Sequence, residues 1–258
     1  MEVKILGSYM LESRDTRHTC FLIDRVLGLD AGSLASALSV PEQAEIKTVL
    51  LTHQHYDHIQ DLPTLGLSTL NEPGSIDVYS LPETLAAVHD HLLNGSVYPD
   101  LTEPLTADTP KYKFHPFEPE KVLPVLDYLV KPVTVPHTVP AVGFILKSNA
   151  GGCMAYTGDA GGGILPFFRD PLSPQVVFVD VTFPNRLLDL ARLTRHLTPG
   201  LVREQLLLAL GEDLALPRLV AIHFHPDYET ELTDELGVVA QELGLDLSCA
   251  HDGMLLTV

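Results

Sequence analysis

The sequence predicts an α/β (α+β) fold, a four-layer αββα sandwich, in one domain spanning residues 1–258. Three observations predict it. Short apolar runs of strand length cluster in each half of the chain, and helical stretches follow them, so two sheets covered by helices are expected rather than strict βαβ alternation. An apolar fraction of 45% is enough to build a sizeable core. Several of the 12 histidines stand beside Asp, Pro, Gly or Thr at the ends of apolar runs, where a catalytic site is usually placed.

In chain order, residues 3–6, 20–24 and 26–30 are short apolar strands, the last closing on Ala31-Gly32-Ser33. Residues 47–52 form an apolar, partly β-branched run suited to a buried strand. Residues 59–70 read as helix or irregular turn with Pro63 early, and 75–80 as a strand. Residues 82–93 are helical, with Pro82 in the first turn and Leu85, Val88 and Leu92 on one face. Residues 94–110, rich in Pro, Thr and Asp, read as a loop able to cover a site. Strands follow at 128–135, 142–146, 153–157 and 176–181. Thr198 as N-cap and Pro199 at the first helical position open a helix to about residue 210. A strand at 219–223, an acidic amphipathic helix at 228–243, and two strands at 245–249 and 254–258 that close the sheet complete the chain.

Composition excludes several classes. The apolar runs are too short to span a bilayer. The N-terminal Met-Glu-Val-Lys-Ile-Leu-Gly reads as a strand, not a signal peptide. Cys20, Cys153 and Cys249 are odd in number and far apart, neither a disulfide framework nor a metal knuckle, which fits a reducing cytoplasm. A net charge of −18 repels polyanions and makes nucleic acid an unfavoured partner. It says less about a small anion, because bound divalent ions dominate their local field.

The chemistry centres on His53-Gln54-His55-Tyr56-Asp57-His58, three histidines and an aspartate within six residues, directly after a buried-type strand. His53 and His55 alternate, so an extended backbone points both one way; Asp57 and His58 follow as the chain turns and serve a neighbouring position. Such density argues for ligation over a merely His-rich loop. Imidazole and carboxylate suit Zn, Mn or Fe. Six residues cannot fill two coordination shells, so distant ligands are required. His137, Asp159 and His223 each stand at a strand end with a metal-competent side chain.

These segments resemble the metallo-β-lactamase superfamily, and most closely its branch of class II cyclic-nucleotide phosphodiesterases and ribonuclease Z. Asp30-Ala31-Gly32 is similar to its early Asp-x-Gly turn, the His53–His58 segment to its signature, and Thr157-Gly158-Asp159 to its bridging-aspartate turn. The stretch from His137 to Phe144 resembles the third-histidine segment of both groups, and that from His223 to Tyr228 their final one. Phe183-Pro184-Asn185 and His196-Leu197-Thr198-Pro199 resemble the phosphodiesterases in particular. The resemblance implies a four-layer fold holding two divalent metal ions, zinc first, with Mn or Fe as alternatives. His53, His55 and His137 would hold one ion, Asp57, His58 and His223 the other, with Asp159 bridging; His223 rather than His225 is selected. It further implies hydrolysis of a small phosphodiester, such as a 3′,5′-cyclic nucleotide, by a metal-bound hydroxide near neutral pH. His196 would protonate the leaving alkoxide, oriented by Asp180, and Asp57 would serve in catalysis as well as ligation. Asp30 is a candidate to hold a metal histidine by its free N–H; a plain turn carboxylate is its other reading.

The chain departs from that branch in three places. Asp180 stands where a glutamate is usual. Tyr56 stands where leucine is common, read as packing variation. The long basic insertion with which many ribonuclease Z proteins grip tRNA is absent. His18, His89, His91, His115 and His251 are read as structural or surface residues. The competing functions are a tRNA 3′ endonuclease, a lactone or ester hydrolase, and a metal-binding protein without turnover. A homodimer is the default assembly.

Overall fold

A computed structural model describes residues 1–105 and 108–258; Thr106 and Ala107, inside the expected 94–110 loop, lie outside the described residues. Two seven-stranded mixed sheets face each other. The first contains β1 (Glu2–Gly7), β2 (Cys20–Ile23), β3 (Leu27–Leu29), β4 (Thr48–Leu50), β5 (Ile76–Ser80), β6 (Tyr112–Pro116) and, paired to β1, β14 (Leu255–Thr257). The second contains β7 (Leu123–Val125), β8 (Tyr128–Val135), β9 (Ala141–Ser148), β10 (Cys153–Tyr156), β11 (Val176–Asp180), β12 (Arg218–Ile222) and β13 (Leu247–Cys249). In each sheet four strands run parallel, β3 to β6 and β10 to β13, and the rest antiparallel.

The sequence pattern explains the layers. β11 reads Val-Val-Phe-Val without alternation because both its faces are covered. Val176 and Phe178 enter the layer between the sheets, which also takes Ile5, Phe21, Phe144 and Tyr156. Val177 and Val179 face the opposite way, under Val202 and Leu206 of α7 (Pro199–Gly211) and Leu232 and Leu236 of α8 (Glu229–Leu243). The first sheet is covered by Leu62 and Leu65 of α3 (Leu62–Ser68) and Leu85 and Val88 of α4 (Pro82–His91). Each large apolar side chain so buried stabilises by about 1.5–3 kcal/mol. This is the expected αββα sandwich. Among the described residues no helix is long and apolar enough to cross a membrane.

Some elements were not expected. β6 and β7 are short strands carrying a proline, and β6 ends on Pro116 at the sheet edge, where a missing N–H costs no ladder bond. The helices α1 (Val40–Gln43), α2 (Tyr56–Ile59), α5 (Leu165–Arg169) and α6 (Leu188–Thr194) are four to seven residues long, too short to show a helical period. The last two strands do not close one sheet: β13 joins the second and β14 returns to the first.

Candidate metal centre

The site forms where the parallel strands of both sheets end, the position at which such sheets leave a crevice. β3 ends at Leu29, and Asp30 turns the chain with φ 58°. Gly32 is needed two residues on: a Cβ there would fall 2.2 Å from the Asp57 carbonyl oxygen. β4 ends at Leu50 and leads through Thr52 to His55, which caps α2 and sets Asp57 and His58 in its single turn. His137 follows β8. Asp159 follows β10 through Gly158 at φ 61°. Asp180 is the last residue of β11, and His223 comes directly after β12 with φ 69°. A left-handed histidine costs about 1–3 kcal/mol and is a feature of functional sites; here the N–H groups of His223 and Phe224 both bond to the Ser8 carbonyl.

Two four-residue groups result, each with its donor atoms within 4.8 Å of one another. The first is His53, His55, His137 and Asp159; the second is Asp57, His58, Asp159 and His223. In the second, His58 Nε2 lies 3.4 Å from Asp57 Oδ2 and 3.3 Å from Asp159 Oδ1, and His223 Nε2 lies 3.4 Å from each of the same oxygens. In the first, His53 Nε2 and His137 Nε2 are each 3.7 Å from Asp159 Oδ2, and His137 Nε2 is 3.1 Å from His55 Nδ1. Asp159 thus turns one oxygen to each group.

These donors fit metal ions. Four ligands at about 2.0–2.1 Å from a tetrahedral zinc stand about 3.3–3.4 Å apart, the spacing found in the second group. Three buried atoms, His53 Nε2, His58 Nε2 and Asp159 Oδ1, have no hydrogen-bond partner among the described residues. Buried polar atoms without partners are costly unless something else binds them.

The outer nitrogen of four of the five rings, those of His53, His58, His137 and His223, is held, which aims the inner one. His58 Nδ1–H donates to Asp30 Oδ2 at 2.7 Å, and His137 Nδ1–H donates to the Arg195 carbonyl at 3.1 Å. Arg195 reciprocates, its guanidinium bonding the His137 carbonyl at 2.7 Å. His53 Nδ1 lies 3.0 Å from the Thr52 hydroxyl, which donates to Asp30, and His223 Nδ1 lies 2.9 Å from the Thr182 hydroxyl, which donates to Asp180. A Thr–Asp pair from each sheet therefore supports the centre. Asp30 is buried and does more than turn the chain. Asp30→Asn is expected to weaken metal retention by the second group on the order of 10- to 100-fold. Chelator competition measures it, and unchanged affinity would reduce Asp30 to a turn carboxylate.

The electrostatics divide the groups. Burial pushes His53, His55 and His137 below the usual imidazole range, which keeps them neutral, the form that binds metal. At His58 and His223 burial also opposes charge, but the carboxylates of Asp159, Asp57 and the flanking Asp30 or Asp180 win and hold the rings protonated to higher pH. Burial would raise Asp159, yet His223 and His58 draw it well below the usual carboxylate range. The field that draws protons into the second group would equally draw a metal cation.

Asp159, Asp180, His196 and His223 make a third close group. Its outer atoms are already paired: Asp180 Oδ1 accepts from Thr182 at 2.6 Å, and Oδ2 accepts from His196 Nδ1 at 2.9 Å and from the Ala160 N–H at 3.2 Å. It is a buried His–carboxylate dyad rather than an open ion site. His196 lies in the loop between α6 and α7, stacked on His223 at 5.3 Å, just before Thr198, whose hydroxyl caps α7 as expected. Burial opposes its protonation, but Asp180 raises it above the usual imidazole range.

The structure therefore brings together His53, His55, Asp57, His58, His137, Asp159, Asp180, His196 and His223. His225 stays outside both groups, accepting from the Asp227 N–H and stacked on Tyr228. Tyr56 corrects its reading as packing variation: it is 63% exposed and packs into no core. Sequence reading missed Thr52, Thr182 and Arg195. Thr52 directly precedes His53 and could have been found; nothing local marks Arg195, which reaches His137 across 58 residues.

A family model described as "Beta-lactamase superfamily domain" matches residues 19–224. No curated protein is similar enough in sequence to match. Among solved structures, unliganded yeast PDE1 is similar with a TM-score of 0.80 at 17% identity, over 100% of this chain and 99% of that one. Zn(2+)-bound PqqB from Methylobacterium extorquens gives 0.74 at 17% identity, over 100% of each chain. The short form of human tRNase Z gives 0.70 at 18% identity, over 100% of this chain and 99% of that one. At these identities the likeness is one of fold. The family match, which spans every donor from His53 to His223, carries the conclusion: the chain belongs to the β-lactamase superfamily, a family of metallo-β-lactamase-fold hydrolases.

Proposed function

We propose that this chain is a dinuclear-metal phosphodiesterase acting on small phosphodiesters such as 3′,5′-cyclic nucleotides. The carrying observation is the buried His196–Asp180 dyad set against two metal-competent groups. His53, His55 and His137 would hold one ion and Asp57, His58 and His223 the other, with Asp159 between them; the donors accept zinc first, and Mn or Fe as well. When bound, the ions supply a nucleophile near neutral pH and neutralise charge on the phosphoryl oxygens. His196 has Nδ1 tied to Asp180, which leaves Nε2 as its free nitrogen. With its protonation favoured by Asp180, it is placed to pass the Nε2 proton to a leaving alkoxide. Thr182 fixes Asp180 and His223 together, so acid and ligand keep one geometry. The fold shared with yeast PDE1 supports the reading, and the net charge of −18 disfavours tRNA.

One sample, analysed for metal, should be screened against bis-p-nitrophenyl phosphate, cyclic nucleotides, precursor tRNA and lactones. Turnover of cyclic nucleotides is expected. Metal-loaded protein that cleaves tRNA or lactones, and no small phosphodiester, would overturn the reading.

A further inference from the structure

Next to the His53–His58 segment lies a hollow of about 250 Å³, a volume suited to one ring system rather than a drug-sized ligand. Tyr56, Val97 and Tyr98 line it. Tyr56 stands between His55, whose Nδ1 belongs to the first donor group, and Asp57, whose Oδ2 belongs to the second. Its ring is committed to no core, and Val97 is 76% exposed. Tyr98 is anchored from behind against the core beneath α3 and α4. The charged residues of the lining are all carboxylates, Glu12 and Asp61. Asp61 is occupied by the N–H groups of Ala35 and Ser36, at 2.7 and 2.9 Å. Glu12 accepts one bond from the Gln60 amide at 2.9 Å and keeps acceptor capacity to spare.

We infer that this hollow is the subsite for an uncharged aromatic ring of the substrate, a nucleobase, whose phosphodiester lies at the adjacent metal centre. The inference rests on the phosphodiesterase reading above. Aromatic side chains stack on any base through its π-face. An acid-only lining favours a neutral ring bearing N–H donors and repels an anionic one. The same carboxylates would meet the next phosphate of a polynucleotide, so the site takes a single nucleotide rather than a strand.

Calorimetric titration with adenosine, which carries no phosphate, tests the hollow apart from the chemistry. Saturable binding is expected. Tyr56→Ala should weaken it on the order of tenfold, while Tyr56→Phe, which keeps the stacking face, should preserve it. Orotate, an anionic ring, should not bind, and Glu12→Gln should relax that exclusion. Tyr56 and Glu12 are both exposed, so these variants keep the core intact. With cyclic AMP, Tyr56→Ala should raise KM more than it lowers kcat. Adenosine binding equal in wild type and Tyr56→Ala, or absent at millimolar concentration, would overturn the subsite. Adenosine binding lost in Tyr56→Ala, in protein that hydrolyses no phosphodiester, would support the ring site and remove the phosphodiesterase reading.

Discussion

Asp159→Asn is expected to empty the metal centre and silence hydrolysis. Asp159 is 1% exposed and supplies one oxygen to each donor group, at 3.3 and 3.4 Å from His58 and His223 and 3.7 Å from His53 and His137. An asparagine keeps one acceptor oxygen and turns an NH₂ toward the other set of imidazoles. It also removes the charge that Asp159 contributes at His58 and His223. Replacing a partner of a ligand typically costs 10- to 100-fold in affinity or activity; loss of a ligand shared by two ions should cost more than about 100-fold. Metal analysis should find fewer than two ions per chain. Chelation of the wild type should lower Tm, because an ion bound only by the folded state stabilises it by mass action. An Asp159→Asn protein with full metal content and wild-type turnover would refute the bridging role.

His196→Ala should lower kcat by about 10²- to 10⁴-fold, the usual contribution of a positioned acid or base, while both ions are retained. The retention matters because His196 sits close enough to Asp159 and His223 to be mistaken for a ligand. Loss of metal in the variant would make it one. Asp180→Asn should act through His196 and give a smaller loss. The pH profile separates these roles. Asp180 raises the His196 pKa, so the acid form persists above the usual imidazole range and activity falls as pH rises through that raised value. That alkaline limb should vanish in His196→Ala and move to lower pH in Asp180→Asn. An unchanged limb in both would assign the titration to another group.

The likeness between local pattern and final geometry was uneven. The His53–His58 segment reads directly because its metal-competent donors are neighbours in sequence, and a strand-to-helix turn of that length has few ways to point them. Thr198-Pro199 reads directly for the same reason, since a helix cap is a local structure. The acidic helix α8 shows its buried stripe in Leu232, Leu236 and Val239, one residue inside the expected start. Short elements such as α5 and α6 gave no period to detect, and β6 was hidden by its edge position and its proline.

By itself the sequence determined the donor types, the layered class of fold and the strand ends that carry His137, Asp159, Asp180 and His223. Spacing alone left open which donors share a centre; the family resemblance implied the grouping, and the tertiary structure brings those donors together. His55 meets His137 across 82 residues and Asp57 meets His223 across 166, contacts that no spacing encodes. It also sent β14 back to β1 and turned Tyr56 outward into the hollow beside the centre. The physical reason is that burying apolar surface between the two sheets sets how they face one another. That packing brings the ends of parallel strands from both sheets to one crevice, where residues far apart in the chain complete the site.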